Sequence, residues 1–456
     1  MPQGLWSRVA VDPRPLRTAA FRRLWWGQGV SFIGFQLSST AVAAQIFAIT
    51  SSSFWVGMLG PVTLVPLVIF GLWGGAVADA VDRRRLLLAG SVIAWAASIA
   101  LLAQSALRVD NVWLMLATMA VHSTGFAITS PVRGAIIPRL VPVEEVPAAN
   151  TLNFLVSSMG AVIGPLVAGV VLAHGGYTGA YLIDVVLFGA GFYAALRLPP
   201  LPPLGQAAPA VRDAKDATGA KDATDAQDAT GAKDATDTTG ATGATGVPDA
   251  PRPGLRAVVE GLRFIAGHPV VLMSFVVDII AMAFALPRAL FPEIVAERFG
   301  GSPVAFGWLT ASIALGSAVG GLFSGWVGRV RRQGVALTVV IALWGLSVAA
   351  AGLAGSLWLM VALLALGGAA DLVSAVWRQT ILQTYAPDEM RGRLQGVFYV
   401  VVAGGPRLGD LRAGATAAVV GVVPAWVGGG LACAAFVLVA GFAVPAFRAY
   451  RPRHHP

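Results

Sequence analysis

The sequence predicts an all-α membrane protein: twelve transmembrane helices in two pseudo-symmetric six-helix bundles. Two observations carry this expectation. The 456 residues are 56% hydrophobic and only 12% charged. Soluble domains carry roughly 25% charged residues, so this much apolar surface needs lipid as its solvent. The chain also repeats itself. Arg133 falls on Arg378, Pro142 on Pro387, Glu144 on Glu389 and Gly160 on Gly405, at one offset and without gaps. In the same register Gly164-Pro165-Leu166-Val167-Ala168-Gly169 falls on Gly409-Asp410-Leu411-Arg412-Ala413-Gly414. Repeated bundles of spanning helices are how secondary transporters are built, with the substrate site between the repeats.

A span needs about 20 mostly apolar residues. Such stretches lie near 24–48, 54–78, 86–105, 112–133, 150–173 and 178–198 in the first half. The second half has them near 268–290, 303–327, 335–354, 357–378, 394–420 and 424–447. Gly and Pro interrupt several, which a membrane tolerates where neighbouring helices re-satisfy the freed backbone groups. The expected domains are an N-terminal segment (1–23), a first bundle (24–200), a linker (201–253), a second bundle (254–450) and a tail (451–456). The linker has near-repeats such as Lys215-Asp216-Ala217-Thr218 and Lys233-Asp234-Ala235-Thr236, and holds all three lysines of the chain. Low complexity of this kind predicts a disordered cytoplasmic tether.

Arginine placement sets the expected orientation. Basic clusters fall at Arg14–Arg23, Arg83–Arg85, Arg133 and Arg139, Arg329–Arg332, Arg391 and Arg393, and Arg448–Arg453. With twelve spans, every cluster lies on one side, which the positive-inside rule makes cytoplasmic. Both termini are therefore expected in the cytoplasm, and the chain in the cell membrane. The net charge of +9 is spread over short clusters between apolar runs, which argues against a nucleic-acid partner. A single cysteine, Cys433, excludes an intrachain disulfide and a cysteine metal cluster. Residues 1–23 lack the apolar core of a cleavable signal peptide. No phosphate-binding Gly-x-x-x-x-Gly-Lys loop, metal-ligand set or nucleophile elbow is present in the sequence, so no enzyme activity, cofactor or metal is expected. The expected partners are a small-molecule substrate, protons and the lipid bilayer, with the chain working as a monomer.

Several motifs carry mechanism. The second-to-third connection reads Gly74-Gly75-Ala76-Val77-Ala78-Asp79-Ala80-Val81-Asp82-Arg83-Arg84-Arg85. Glycines let two helices approach closely. An Asp at a helix end can hold the other half in one transport state and release it in the next. Gly75, Asp79, Arg83 and Arg84 are conformational candidates on this ground, beside the plainer reading that the arginines only fix topology. In the fifth span Gly160, Gly164 and Pro165 begin a run of small residues on one helix face, with Pro165 as a bend. The alternative there is simple packing.

The eleventh span places Asp410 where its repeat partner has proline, with Arg407 and Arg412 beside it. Charges within a span cost several kcal/mol unless paired or wetted, and so mark function by default. Arg407 and Asp410 share a face and can pair; Arg412 points elsewhere and needs another partner. In the tenth span Asp371, Ser374 and Arg378 form one stripe. In the fourth, His122, Phe126 and Arg133 do the same. Arg133 and Arg378, near the cytoplasmic ends, are expected at a gate rather than on substrate. Asp278 sits at mid-depth in the seventh span without a partner on its own helix, Arg288 being too far along; Asp184 lies in the outer part of the sixth. Asp278, Asp371 and Asp410 are the leading proton-coupling candidates, with Arg288, Arg407 and Arg412 as charge partners. Gln28, Gln36, His122 and Phe284 are candidates for a cavity wall, His122 having satisfied packing as its alternative.

The Asp79–Arg85 loop resembles the signature loop of the major facilitator superfamily, departing from it at Ala80, where a basic residue is usual, and at Asp82, where glycine is usual. The Gly164-Pro165 unit resembles the antiporter motif of exporters in that superfamily, with Ala168 in place of a glycine. Pro287-Arg288-Ala289-Leu290-Phe291-Pro292, Leu382–Arg393 and Gly409-Asp410 look like the enterobactin-exporter branch, which also holds macrolide-efflux-like proteins. The resemblance covers nearly the whole chain outside the linker. It implies the major facilitator fold and a proton-driven exporter of a small molecule, a siderophore or a drug-like compound. Import and a non-transporting membrane scaffold or sensor are the rival readings. The antiporter-like motif argues against the first, and ionisable groups within spans against the second.

Overall fold

A computed structural model of the chain describes residues 12–199, 201, 255–387 and 390–451. The expected linker, apart from Leu201, lies outside the described residues, as do the side chains of Gly75 and Asp79. The described residues form helices and connecting turns, with no strand among them.

The first half runs α1 (Ala19–Thr50), α2 (Ser53–Gly57), α3 (Leu59–Ala80), α4 (Arg83–Ala106), α5 (Val112–Leu140) and α6 (Val146–Leu196). The second runs α7 (Leu255–Gly267), α8 (Pro269–Phe284), α9 (Phe291–Arg298), α10 (Pro303–Leu322), α11 (Gln333–Leu353), α12 (Leu357–Tyr385), α13 (Arg391–Val420), α14 (Val422–Ala443) and the short α15 (Pro445–Arg448).

Among the described residues, ten stretches are long and apolar enough to cross a bilayer. One of them, Val143–Leu196, has 54 residues. A straight helix of that length would reach ~80 Å, far more than a ~30 Å hydrocarbon core. Gly176, at φ 62°, is the non-helical residue inside α6. The chain folds back there, so that Gly179 returns to Val171, and α6 supplies two spans. The twelfth is α13, whose Arg407, Asp410 and Arg412 dilute an otherwise apolar helix.

The predicted spans therefore stand, with one refinement. The expected seventh span is not one helix. α8 stops at Phe284, a 3-10 turn covers Arg288–Leu290, and α9 starts at Phe291. Pro287 and Pro292 lack the N–H that a continuous helix would use, so the chain turns between them. Irregular backbone at membrane depth is tolerated where protein or a cavity covers it.

Both bundles repeat one packing scheme. α1 lies along α6 as α8 lies along α13, and α3 meets α5 as α10 meets α12. Indoles pin neighbouring helices by donating to backbone carbonyls, as the half-buried Trp25 Nε1 does to Leu152 O at 2.9 Å and the buried Trp426 Nε1 to Val348 O at 2.8 Å. Such bonds satisfy a polar handle that lipid could not.

Candidate functional site

The repeated small-residue unit sets how the bundles meet. Gly164 packs on Ile33, Gln36 and Leu37 of α1, and Gly409 on Met282 and Ala283 of α8. One turn further on, Gly169 meets Pro303 and Gly307 of α10, and Gly414 meets Ser53 and Phe54 of α2. Each unit thus binds its own bundle's first helix with one glycine and the opposite bundle with the next. At these four places a Cβ would run into backbone or a neighbouring Cβ, so glycine is required for the approach. The Pro165 carbonyl faces Gly307 across the same seam.

The seam continues at Gly57 against Asp410 and Gly60 against Arg407. The Ser53 hydroxyl and the Glu293 carboxylate close it with a hydrogen bond between the bundles. All these contacts lie toward the end of the helices that carries the α1–α2 and α9–α10 connections.

Below this seal lies a cavity of about 320 Å³ walled by both bundles. Gln36, Ser39 and Thr40 of α1, Thr63 of α3 and Ser123 of α5 give it a polar wall from the first half. Arg288, Thr310 of α10, and Arg407 and Asp410 of α13 face them from the second. Phe35, Met119, Phe291 and Phe306 supply apolar surface. The break between α8 and α9 is what places Arg288 there, with its side chain exposed. Arg407 reaches across to the other bundle, its Nε donating to Thr63 Oγ1 at 3.1 Å. Asp410 is half-buried, and its Oδ1 is inaccessible and has no hydrogen-bond partner. The site thus holds two guanidiniums and one carboxylate in a polar, aromatic-edged chamber.

The other predicted residues separate into distinct groups. Asp278 does have a partner, on another helix: Arg378 of α12 makes an ion pair with it, both side chains being buried. Arg378 also reaches Asp371 at 3.6 Å and Ser374 Oγ at 3.4 Å. This triad lies inside the second bundle and is absent from the cavity lining. Arg412 finds its partner in Phe284, donating to its carbonyl at 3.0 Å and lying 5.4 Å from its ring centroid. Phe284 is engaged in this way and does not line the cavity.

Of the cavity candidates, Gln36 lines the central chamber, whereas Gln28 lines a small void inside the first bundle, together with Arg133. His122 is fully buried behind Phe35, whose ring lies 5.1 Å away, so it faces the bundle interior and not the chamber. Arg83 and Arg84 hold helix ends of their own bundle, donating to Ala135 O at 3.1 Å and Leu196 O at 2.7 Å. Asp82, the departure from the family loop, caps α4 by accepting from the Arg84 and Arg85 amides.

Sequence reasoning passed over Ser39, Thr63, Thr310 and the Ser53–Glu293 contact. A small polar residue in a span gives no periodic signal, and Glu293 reads as an ordinary loop-side acid.

The sequence profile of the transmembrane secretion effector family fits residues 12–201 and 249–455. This chain belongs to that family, a branch of the major facilitator superfamily. It is 27% identical to the enterobactin exporter EntS of Shigella boydii serotype 18 over 387 residues, spanning 83% of this chain and 80% of that protein. The same figures relate it to the enterobactin exporter EntS of Escherichia coli O139:H28.

Solved structures show the same fold. A POT family transporter in complex with 5-aminolevulinic acid superposes with a TM-score of 0.68 at 12% identity, covering 94% of this chain and 97% of that one. A bacterial homologue of the human lysosomal transporter Spinster, in an inward-facing and unoccupied conformation, gives a TM-score of 0.67 at 16% identity, over 97% of this chain and 100% of that one. The protein is therefore a multi-pass membrane transporter of the major facilitator type. Its relatives and structural neighbours are transporters and not enzymes.

Proposed function

We propose that this chain is a proton-coupled exporter of a small molecule of the siderophore class. It works by alternating access in the cytoplasmic membrane, with both termini in the cytoplasm. The observation that carries this reading is the chamber between the bundles, where Arg288, Arg407 and Asp410 converge. The sealed seam supports an inward-facing state, because its contacts sit at the end expected to face outward. Arg288 presents an exposed charge to a polar or anionic group of the substrate, and Phe35, Phe291 and Phe306 receive its rings or apolar parts.

Asp410 holds the proton on the return stroke. An ionised carboxylate is costly to carry through a closed, dry state, and a neutral one is not. Protonation from outside therefore lets the emptied cavity close and reopen inward. Release to the cytoplasm restores the charge before the next substrate binds. The Asp278–Arg378–Asp371 triad is a second place where a proton alters a buried ion pair, and it acts within its own bundle.

The test is to grow the host with and without the gene under iron limitation and quantify iron-chelating metabolites in cells and medium by mass spectrometry. A siderophore that accumulates inside the deletion strain and falls outside it is the expected result. Unchanged siderophores together with new sensitivity to unrelated toxic compounds would move the assignment to drug-like efflux, the reading that the aromatic chamber wall favours.

A further inference from the structure

The first bundle contains a polar cluster that the central chamber does not use. Asp184, on the returning arm of α6, is completely buried. Three elements pack around it. From α1, Gly34 leaves the space its carboxylate occupies, since a Cβ there would lie 2.6 Å from Asp184 Oδ1. Ser38 of α1 and Ser98 of α4 set their hydroxyls against the carboxylate. From α5, His122 brings its Nε2 to 3.4 Å from Ser98 Oγ.

Every one of these groups is buried, and the cluster is under-satisfied. Asp184 Oδ1 and Oδ2, Ser38 Oγ and His122 Nδ1 all lack a hydrogen bond of proper geometry. Among the described residues, the ionisable groups nearest the cluster are His122, which meets it through Ser98 Oγ, and, on the helix of Asp184 itself, Tyr181, whose hydroxyl donates to Gln45 Oε1 at 2.8 Å. Among the described residues, no arginine ion-pairs with it.

A bare carboxylate in such a place is untenable. Unpaired burial of a charge costs far more than a folded chain can absorb, and a carboxyl with both oxygens idle wastes its hydrogen-bonding capacity. The second bundle answers the same problem with Arg378. Among the described residues the first offers no such cation to Asp184, although it has pre-formed oxygens. We propose that Asp184, with Ser38, Ser98 and His122, forms a monovalent-cation site in the first bundle, occupied by a proton or by Na⁺.

Access runs past Phe35. Its ring lies tilted against His122 on one side and lines the central chamber on the other. A turn of that ring joins the buried cluster to the transport pathway. The site is separate from Asp410, and its occupancy does not depend on which substrate the chamber takes.

The experiment uses the purified full chain in lipid nanodiscs, so it needs no substrate and stands apart from the export assignment. Infrared difference spectra, wild type against Asp184→Asn, isolate the carbonyl stretch of a protonated carboxyl; ²²Na⁺ binding is measured on the same samples. A carbonyl band lost in Asp184→Asn and shifted to higher frequency in Ser98→Ala or Ser38→Ala identifies a proton. Stoichiometric ²²Na⁺ binding lost in Asp184→Asn identifies sodium. If neither signal differs between wild type and variant, the site is overturned. Should Asp184→Asn fail to fold, the serine variants decide: a carbonyl band and sodium binding unchanged in both overturn the proposal too.

Discussion

The two bundles share a fold but treat charge in opposite ways. Arg133 and Arg378 are repeat equivalents. In the second bundle Arg378 is locked between Asp278 and Asp371. In the first, the position matching Asp371 is Phe126. It stacks 5.0 Å from Phe35, and Arg133 lines a small void beside this aromatic group. The fifth and eleventh spans repeat the contrast: both keep the glycines that seat them between bundles, yet Pro165 on one side is Asp410 on the other. Packing is thus kept by both copies, while the charged machinery of the chamber comes mostly from one. A transporter of two rocking halves needs matching seams, because both must close against each other.

The largest effect should come from breaking the triad. Arg378→Met leaves the buried Asp278 and the half-buried Asp371 without their cation and should destabilise the protein by ~3–5 kcal/mol. Arg133→Met should cost much less, and thermal unfolding in detergent compares the two. Equal losses would show that the halves do not differ in this respect.

Next comes the chamber. Asp410→Asn should abolish proton-driven efflux in reconstituted vesicles while leaving membrane insertion intact; Pro165→Ala, its repeat partner, should keep most of the flux. Normal proton-driven efflux in Asp410→Asn would remove the role given to this residue.

The seams should respond alike. Gly169→Leu and Gly414→Leu each put a side chain where the opposite bundle's backbone lies. Both should hold the outer end open, read as loss of a disulfide cross-link between cysteines placed at positions 53 and 293. A block from one substitution alone would mean the seams are not equivalent. The smallest effect belongs to Ser53→Ala, which removes a single hydrogen bond worth ~0.5–1.5 kcal/mol. It should shift the balance toward outward opening by a few-fold, measured as the reactivity of a single cysteine placed in the chamber at position 310 toward an external thiol reagent.

Much of this was legible in the chain. Hydropathy gave the spans, the repeat gave the two bundles, and the glycine spacing marked the seam, because each of these is local or periodic. Asp410 and Arg407 stood out as charges inside a span, and both do face the chamber. The partners of the remaining charges were illegible, since they come from other helices. Asp278 meets Arg378 across a hundred residues of sequence, and Arg412 ends against Phe284. His122 was equally ambiguous: its position along α5 is visible in the sequence, but the direction it faces depends on how α5 rotates against α1.

By itself the sequence determined the solvent, the number of spans, the internal symmetry and the sites of close helix approach. These follow from side-chain chemistry read along one dimension. Only the tertiary structure decided which charges meet, that a helix break at Pro287 carries Arg288 into the chamber, and that Asp184 lies among hydroxyls with no cation from the described residues beside it. Depth in a bilayer is written in hydropathy, but the facing of each helix is set by packing against its neighbours, and ion pairing between helices depends on that facing.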